Sequence, residues 1–131
     1  MNALVETEAG VYTLDVDEGA IVDFVAGAAL DAPAELETGL PRVVATAASG
    51  STIVVAVDAR PPLLVSHDAG RTWRESGRGL RSGTAVAIDD ADPDSILFCA
   101  GLRVYVSRDG GRFWSPLPLE LPEPAVAAAW T

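Results

Sequence analysis

Residues capable of acid–base or nucleophilic chemistry are sparse in this chain of 131 residues. His67 is the single histidine and Cys99 the single cysteine, so one chain cannot assemble a Ser-His-Asp or Cys-His arrangement. A pair of carboxylates such as Glu35 and Asp58 is the remaining route to hydrolysis, because two acids that flank a glycosidic bond can cleave it. This pair is an alternative only: no catalytic residue is predicted, and neither is a metal or a cofactor.

A repeated signature indicates which elements must position these side chains. The pattern Ser-x-Asp-x-Gly-Arg-x-Trp occupies residues 66–73 and again residues 107–114. A period of about 40 residues is typical of a repeat protein and matches the length of one four-stranded propeller blade. The signature residues are predicted to be structural: Ser66, Asp68, Gly70, Trp73, Ser107, Asp109, Gly111 and Trp114.

Each signature is predicted to form a tight hairpin turn. Glycine suits the left-handed backbone position that such a turn needs, and aspartate can accept backbone N–H groups within it. The tryptophan is predicted to begin the next strand and to bury its ring against the adjoining blade. A metal is not expected at either turn, because one carboxylate and one hydroxyl are too few ligands.

The apolar segments around the signatures predict an all-β fold whose blades each have four antiparallel strands, A to D. One blade spans residues 43–75 and another residues 84–117. Residues 1–25 supply strands B, C and D of a split blade, and residues 125–131 supply its strand A. The acidic run at residues 90–94 is interpreted as a turn between strands A and B, since residues 89–94 lack the glycine and glutamate of a calcium loop.

The number of blades predicts a dimer. Propellers have four to eight blades as a rule, so the three in this chain are too few to close a ring. Two copies would form a six-bladed homodimer in which strand A of one copy completes the split blade of the other. Three copies with nine blades, a fragment of a longer propeller and a two-sheet arrangement are the alternatives. The small residues of the A strands fit a crowded axis, or else a narrow apolar channel for a ligand.

The signature resembles the Asp-box (BNR) repeat of sialidases, xyloglucanases, sortilin-type receptors and photosystem II assembly factors. The resemblance covers nearly the whole chain as repeats and implies a β-propeller. It implies no single activity, because the box recurs across unrelated functions. Phe113 departs from the pattern where threonine is usual, and Val22 stands where the decayed first copy would have its tryptophan.

A sialidase would need an arginine cluster and a tyrosine nucleophile paired with an acid. Only Tyr12 and Tyr105 are present, both in predicted C strands away from the axis. In propellers of this kind, ligands meet the face formed by the D–A and B–C loops. The first D–A loop, residues 26–42, is the longest and is predicted to hold a helical turn at residues 33–38. The candidate ligand-face residues are Asp31, Glu35, Glu37, Arg42, Asp58, Arg60, Arg78 and Arg81.

Charge and composition narrow the classes of partner. The net charge is −10, and residues 1–41 hold acids but no base, so nucleic acid and anionic membranes are not expected partners. A single cysteine in an apolar run, with no signal peptide or apolar span, predicts a cytoplasmic protein. The predicted function is a non-catalytic binding or scaffold propeller that recognises a protein or glycan. Alternatives are a sialidase- or xyloglucanase-like glycoside hydrolase, or a receptor that binds a small anion through Arg78 and Arg81.

Overall fold

A computed structural model describes residues 1–31 and 36–131, which form β-strands joined by turns and loops. None of the described segments is a helix with the length and apolarity that crossing a bilayer requires. The strands are β1 (Asn2–Thr7), β2 (Gly10–Asp15), β3 (Ala20–Ala26), β4 (Val43–Ser49), β5 (Thr52–Val57), β6 (Leu63–Ser66), β7 (Arg74–Ser76), β8 (Ala85–Asp89), β9 (Asp92–Ala100), β10 (Arg103–Ser107), β11 (Ser115–Pro116) and β12 (Ala127–Trp130).

The described strands form three antiparallel sheets of four strands each, as the sequence predicted. Repeat sheet 1 has the order β4-β5-β6-β7, and repeat sheet 2 has the order β8-β9-β10-β11. The terminal sheet has the order β12-β1-β2-β3, with the last strand of the chain paired to the first. This pairing lies within one chain, from Ala3 opposite Trp130 to Glu6 opposite Ala127. It differs from the expected exchange of strand A between two copies, because β12 closes the sheet of its own chain.

Repeat sheet 2 lies between the other two sheets and is apolar on both faces. In β9, Phe98 packs towards repeat sheet 1, while Leu97 and Cys99 pack towards the terminal sheet. All three side chains are fully buried, and a buried leucine or phenylalanine stabilises a fold by about 2–3 kcal/mol. This is why residues 96–100 of β9 form a continuous apolar run rather than an alternating one.

The inner strands β4, β8 and β12 lie side by side, with β8 in the middle. The indole Nε1 of Trp130 donates a hydrogen bond to the Ala87 carbonyl at 3.2 Å, which ties β12 to β8. Within residues 1–31 and 36–131 there are two buried cores, one on each face of repeat sheet 2. The three sheets therefore form an arc, and each outer sheet keeps one face that no other sheet covers.

The strand boundaries differ from the sequence prediction at two turns. β7 and β11 begin one residue after Trp73 and Trp114, because the signature turn extends through the tryptophan. The acidic run forms a shorter turn than expected: Asp89 already pairs with Asp92, and β9 begins there. The side chain of Asp89 accepts the Ala91 N–H at 3.0 Å, which allows the chain to reverse over two residues.

Candidate functional site

The loops predicted to carry the ligand face meet at one end of the arc. The turn between β5 and β6 contains Asp58, and the loop between β7 and β8 contains Ser82. The Ser82 hydroxyl lies 3.5 Å from an Asp58 carboxylate oxygen and 3.5 Å from the Ala59 carbonyl. Two loops that are 24 residues apart in sequence therefore share this end of the molecule.

Four of the predicted ligand-face residues are arginines with exposed side chains: Arg42, Arg60, Arg78 and Arg81. Among the residues that the structure describes, none of them has a carboxylate within 4.0 Å; the ion pairs there involve other groups. Arg81 reaches over the turn between β9 and β10, where a Cβ built on Gly101 would lie 3.1 Å from its guanidinium Nη1. No described carboxylate therefore neutralises these cations at the loop end.

The predicted acidic residues of the long first loop are not gathered with these arginines in the described part of the chain. Asp31 is exposed and lines the cleft between the inner strands, and Glu37 is exposed. Glu35 lies outside the described residues, as does the first half of the helical turn predicted at residues 33–38; the described residues 36–38 are not helical. The carboxylate pair Glu35 and Asp58 therefore has no described geometry.

A partly buried polar cluster that the sequence analysis missed lies on the terminal sheet. Glu123 accepts hydrogen bonds from the hydroxyl of Tyr12 at 2.9 Å and from the hydroxyl of Thr7 at 2.7 Å. Burial raises the pKa of Tyr12, and the hydrogen bond to Glu123 raises it further. A raised pKa keeps the phenol protonated, which is the opposite of what a tyrosine nucleophile needs. The signal that could have found Glu123 is its position between two prolines, Pro122 and Pro124.

The three inner strands enclose a cleft of about 700 Å³. Its walls are small and apolar side chains of β4, β8 and β12, and Leu30 and Leu36 also line it. Asp31 and Asp90 are the ionisable residues among its described lining. A space with these walls offers apolar contact and no basic group, so it is unlike a pocket for an acidic sugar.

The signature turns lie at the opposite end of the arc from the loop end. In the first turn, Asp68 accepts the Thr72 N–H at 2.9 Å and the Thr72 hydroxyl at 2.6 Å. These bonds, the hydroxyl bond foremost, lower the pKa of Asp68 to about 2. Ser66 accepts the Gly70 N–H at 2.8 Å, and both Ala69 and Gly70 have positive φ.

The second turn repeats this network without the threonine. Asp109 accepts the Phe113 N–H at 3.0 Å, and Ser107 accepts the Gly111 N–H at 2.9 Å. The Phe113 N–H lowers the pKa of Asp109, with a smaller contribution from the Ser107 hydroxyl. Since both carboxylates are used by their own turns, they serve the local structure. Across residues 1–31 and 36–131, no three His, Cys, Asp or Glu side chains converge as a metal site would require.

No family model matches the chain, and comparison with curated protein sequences gives no match. Several solved structures share its fold, including the following two. One is described as YCF48 bound to D1 peptide, with a TM-score of 0.50, 16% identity and 93% of this chain covered. The other is the GH74 enzyme of Niastella koreensis, with a TM-score of 0.51, 20% identity and 94% coverage. The chain spans 42% of the YCF48 chain and 18% of the GH74 chain. Both neighbours are β-propellers, and the three sheets are accordingly of the propeller type.

Proposed function

We propose that this chain is a non-catalytic binding module that takes an acidic segment of a partner protein at its loop end. The observation that carries the proposal is the set of four exposed arginines, Arg42, Arg60, Arg78 and Arg81, with no carboxylate partner among the described residues. In a protein of net charge −10, free cations at one end favour an acidic ligand over a neutral glycan. The YCF48 neighbour, whose structure holds a peptide, supports a protein ligand.

A titration tests the proposal with matched charge changes at the two ends of the molecule. The probe is a fluorescein-labelled peptide rich in glutamate, and a lysine-rich peptide serves as its counterpart. The double variant Arg78→Ala/Arg81→Ala is expected to bind the acidic probe at least about tenfold more weakly. The control Arg71→Ala/Arg112→Ala removes the same charge from exposed arginines of the signature turns and is expected to bind within about twofold of the wild type. Equal losses in both variants, or no saturable binding by the wild type, would overturn the proposal.

The glycoside hydrolase alternative gives a different result in a separate assay. Turnover of any glycoside in a broad panel, abolished by Asp58→Asn or Glu35→Gln, would replace the binding proposal with a catalytic one. We expect no turnover, because Tyr12 is held protonated beside Glu123 and the inner cleft has no described arginine or tyrosine in its lining.

We further propose that two copies join into a six-bladed ring and that the two signature turns are Asp-boxes. The support for the ring is the arc of three sheets with an open face at each end, since three propeller blades are fewer than a closed ring contains. Light scattering is expected to give the mass of two chains. A compact species with the mass of one chain at all concentrations would contradict the ring and leave the peptide titration as an independent test. The cytoplasm remains the proposed location.

A further inference from the structure

The two signature tryptophans have different neighbours although they occupy the same position of the repeat. The indole Nε1 of Trp114 donates to the Ser76 hydroxyl at 2.8 Å, across the junction between the two repeat sheets. The ring of Trp114 also meets Phe98 edge-on at 6.0 Å. A Cβ built on Gly111 would lie 3.1 Å from Val65 of repeat sheet 1. This second turn is therefore docked onto the preceding sheet.

The first signature turn has no preceding sheet to meet. Trp73 is partly exposed, and its indole has no hydrogen-bond partner among the described residues. A Cβ built on Gly70 would meet Trp73 itself and Ile53, both from repeat sheet 1. The Trp73 side of this sheet is the one turned away from repeat sheet 2, because Val54, Ala56 and Val65 form the core on the other side.

The Trp73 face is apolar. Residues alternate between the two faces of a strand, so Ile53, Val55 and Leu64 share this outer face with Trp73. Ile53 and Leu64 are partly exposed, while Val55 is buried. A partly exposed apolar face that no other described sheet covers indicates an interaction surface.

The other end of the arc is the open outer face of the terminal sheet. On its edge strand β3, 52% of Val25 is open to solvent, whereas Phe24 and Ile21 lie opposite Tyr12 and Leu14. Val25 lies opposite Val11, and Asp23 lies opposite Thr13. These residues alternate with Tyr12 and Leu14, which belong to the core against repeat sheet 2, so Val25 and Asp23 face away from that core.

We infer that the Trp73 face of one copy docks on the β2–β3 face of the terminal sheet of a second copy. The junction repeats the one that Trp114 makes inside the chain, with β3 in the position that β7 occupies there. A two-fold axis then forms the junction twice and closes the inner cleft between the six A strands. This inference rests on the proposed ring and specifies the surface that builds it.

Charge supports a second copy as the occupant of both faces. The N-terminal part of the terminal sheet, residues 1–26, contains six acidic residues and no basic residue. Residues 42–78, which hold repeat sheet 1, contain five arginines and three acidic residues. Opposite net charges on the two open ends attract each other between copies, and they disfavour contact between two like ends.

The experiment compares the mass in solution of three variants by light scattering and sedimentation. Trp73→Arg and Val25→Arg place a charge on the two faces in turn and are each expected to raise the dimer dissociation constant at least about 100-fold. Phe113→Arg is the matched control, because Phe113 is 77% exposed on the second turn and lies outside the proposed junction. It is expected to leave the dimer intact.

The outcomes distinguish a failure of the junction from a failure of the ring and from a failure of peptide binding. Dimers that persist in both Trp73→Arg and Val25→Arg would overturn the junction while leaving a dimer built on another surface. A monomeric wild type would overturn the ring and the junction together, and the peptide titration would stand by itself. Circular dichroism checks that each variant is folded. If Trp73→Arg does not fold, the Val25→Arg variant still tests the junction, because Val25 is exposed on an edge strand.

Discussion

The two signature turns form an internal comparison, because nearly the same eight residues occupy two different environments. In both turns a serine oxygen accepts the glycine N–H, at 2.8 Å in the first and 2.9 Å in the second. In both, the aspartate accepts the N–H four residues later. The local turn is therefore made by the same hydrogen bonds in each copy.

The turns differ in what covers their tryptophans. Trp114 is docked against Ser76 of the preceding sheet, whereas Trp73 lies on a face that none of the described sheets covers. The hydroxyl of Ser76 also donates to the Gly111 carbonyl, so the second turn is tied to its neighbour through both backbone and side chain. The signature therefore forms the same turn in both environments. Its tryptophan stabilises the packing between sheets only where another sheet precedes it in the chain.

The largest expected effect is the loss of the docked ring. Trp114→Ala is expected to lower the free energy of unfolding by about 3–5 kcal/mol, because it leaves a cavity between two sheets. Trp73→Ala, measured by urea unfolding at concentrations where the chain is monomeric, is expected to cost about 1 kcal/mol or less. Equal losses at the two positions would remove the distinction between a docked and an open turn.

The next effect tests the polar link of the docked turn. Ser76→Ala leaves the Trp114 N–H and the Gly111 carbonyl without their partner, which is expected to cost about 2 kcal/mol. Ser82→Ala is the control, since its two contacts are long at 3.5 Å, and we expect a loss below about 0.5 kcal/mol. Thermal unfolding of the two variants side by side measures the difference.

A smaller effect distinguishes the two turn glycines. Gly70 and Gly111 have φ values of 89° and 92°, so alanine at either position is expected to cost about 1–2 kcal/mol of backbone strain. At Gly111 the added Cβ would also crowd Val65 at 3.1 Å, whereas at Gly70 its contacts are ordinary, at 3.6 Å and 3.7 Å. Gly111→Ala should therefore unfold at a lower urea concentration than Gly70→Ala, and the reverse order would show that the second turn can relax.

The smallest effect concerns the two aspartates. Thr72→Val removes the main cause of the low pKa of Asp68, so this pKa is expected to rise from about 2. Phe113→Thr adds a hydroxyl donor to the second turn and should lower the pKa of Asp109. Carboxyl-carbon NMR titrations measure both changes, and an unchanged Asp68 in Thr72→Val would contradict the assigned hydrogen bond.

The pH dependence of stability follows from the sign of the shift. Because the pKa of Asp68 is lower in the folded state than in the unfolded state, its contribution is complete above the ordinary aspartate pKa of about 3.9. It is lost as the pH falls towards about 2. Thr72→Val should therefore reduce the loss of stability between these two values.

Much of the fold was predictable from local pattern. The spacing of the signatures and the short apolar runs predicted three sheets of four strands, and the structure contains them. The site was less predictable, because it depends on residues far apart in the chain. Glu123 meets Tyr12 across 111 positions of sequence, and the proline-flanked loop that carries it has no periodic pattern. The long loop was predicted to supply acids to the ligand face, which stays a prediction; in the structure Asp31 lines the inner cleft.

What the amino-acid sequence determined by itself is the repeated unit, because the turn bonds of Ser66, Asp68 and Gly70 join residues within a few positions of one another. What only the tertiary structure decided is the role of each unit. Packing between sheets depends on which sheet precedes and which sheet follows each unit along the chain. The eight residues of the signature do not contain this information. For this reason two nearly identical turns hold two partly buried tryptophans, one docked on another sheet and one on the face where we place a second copy.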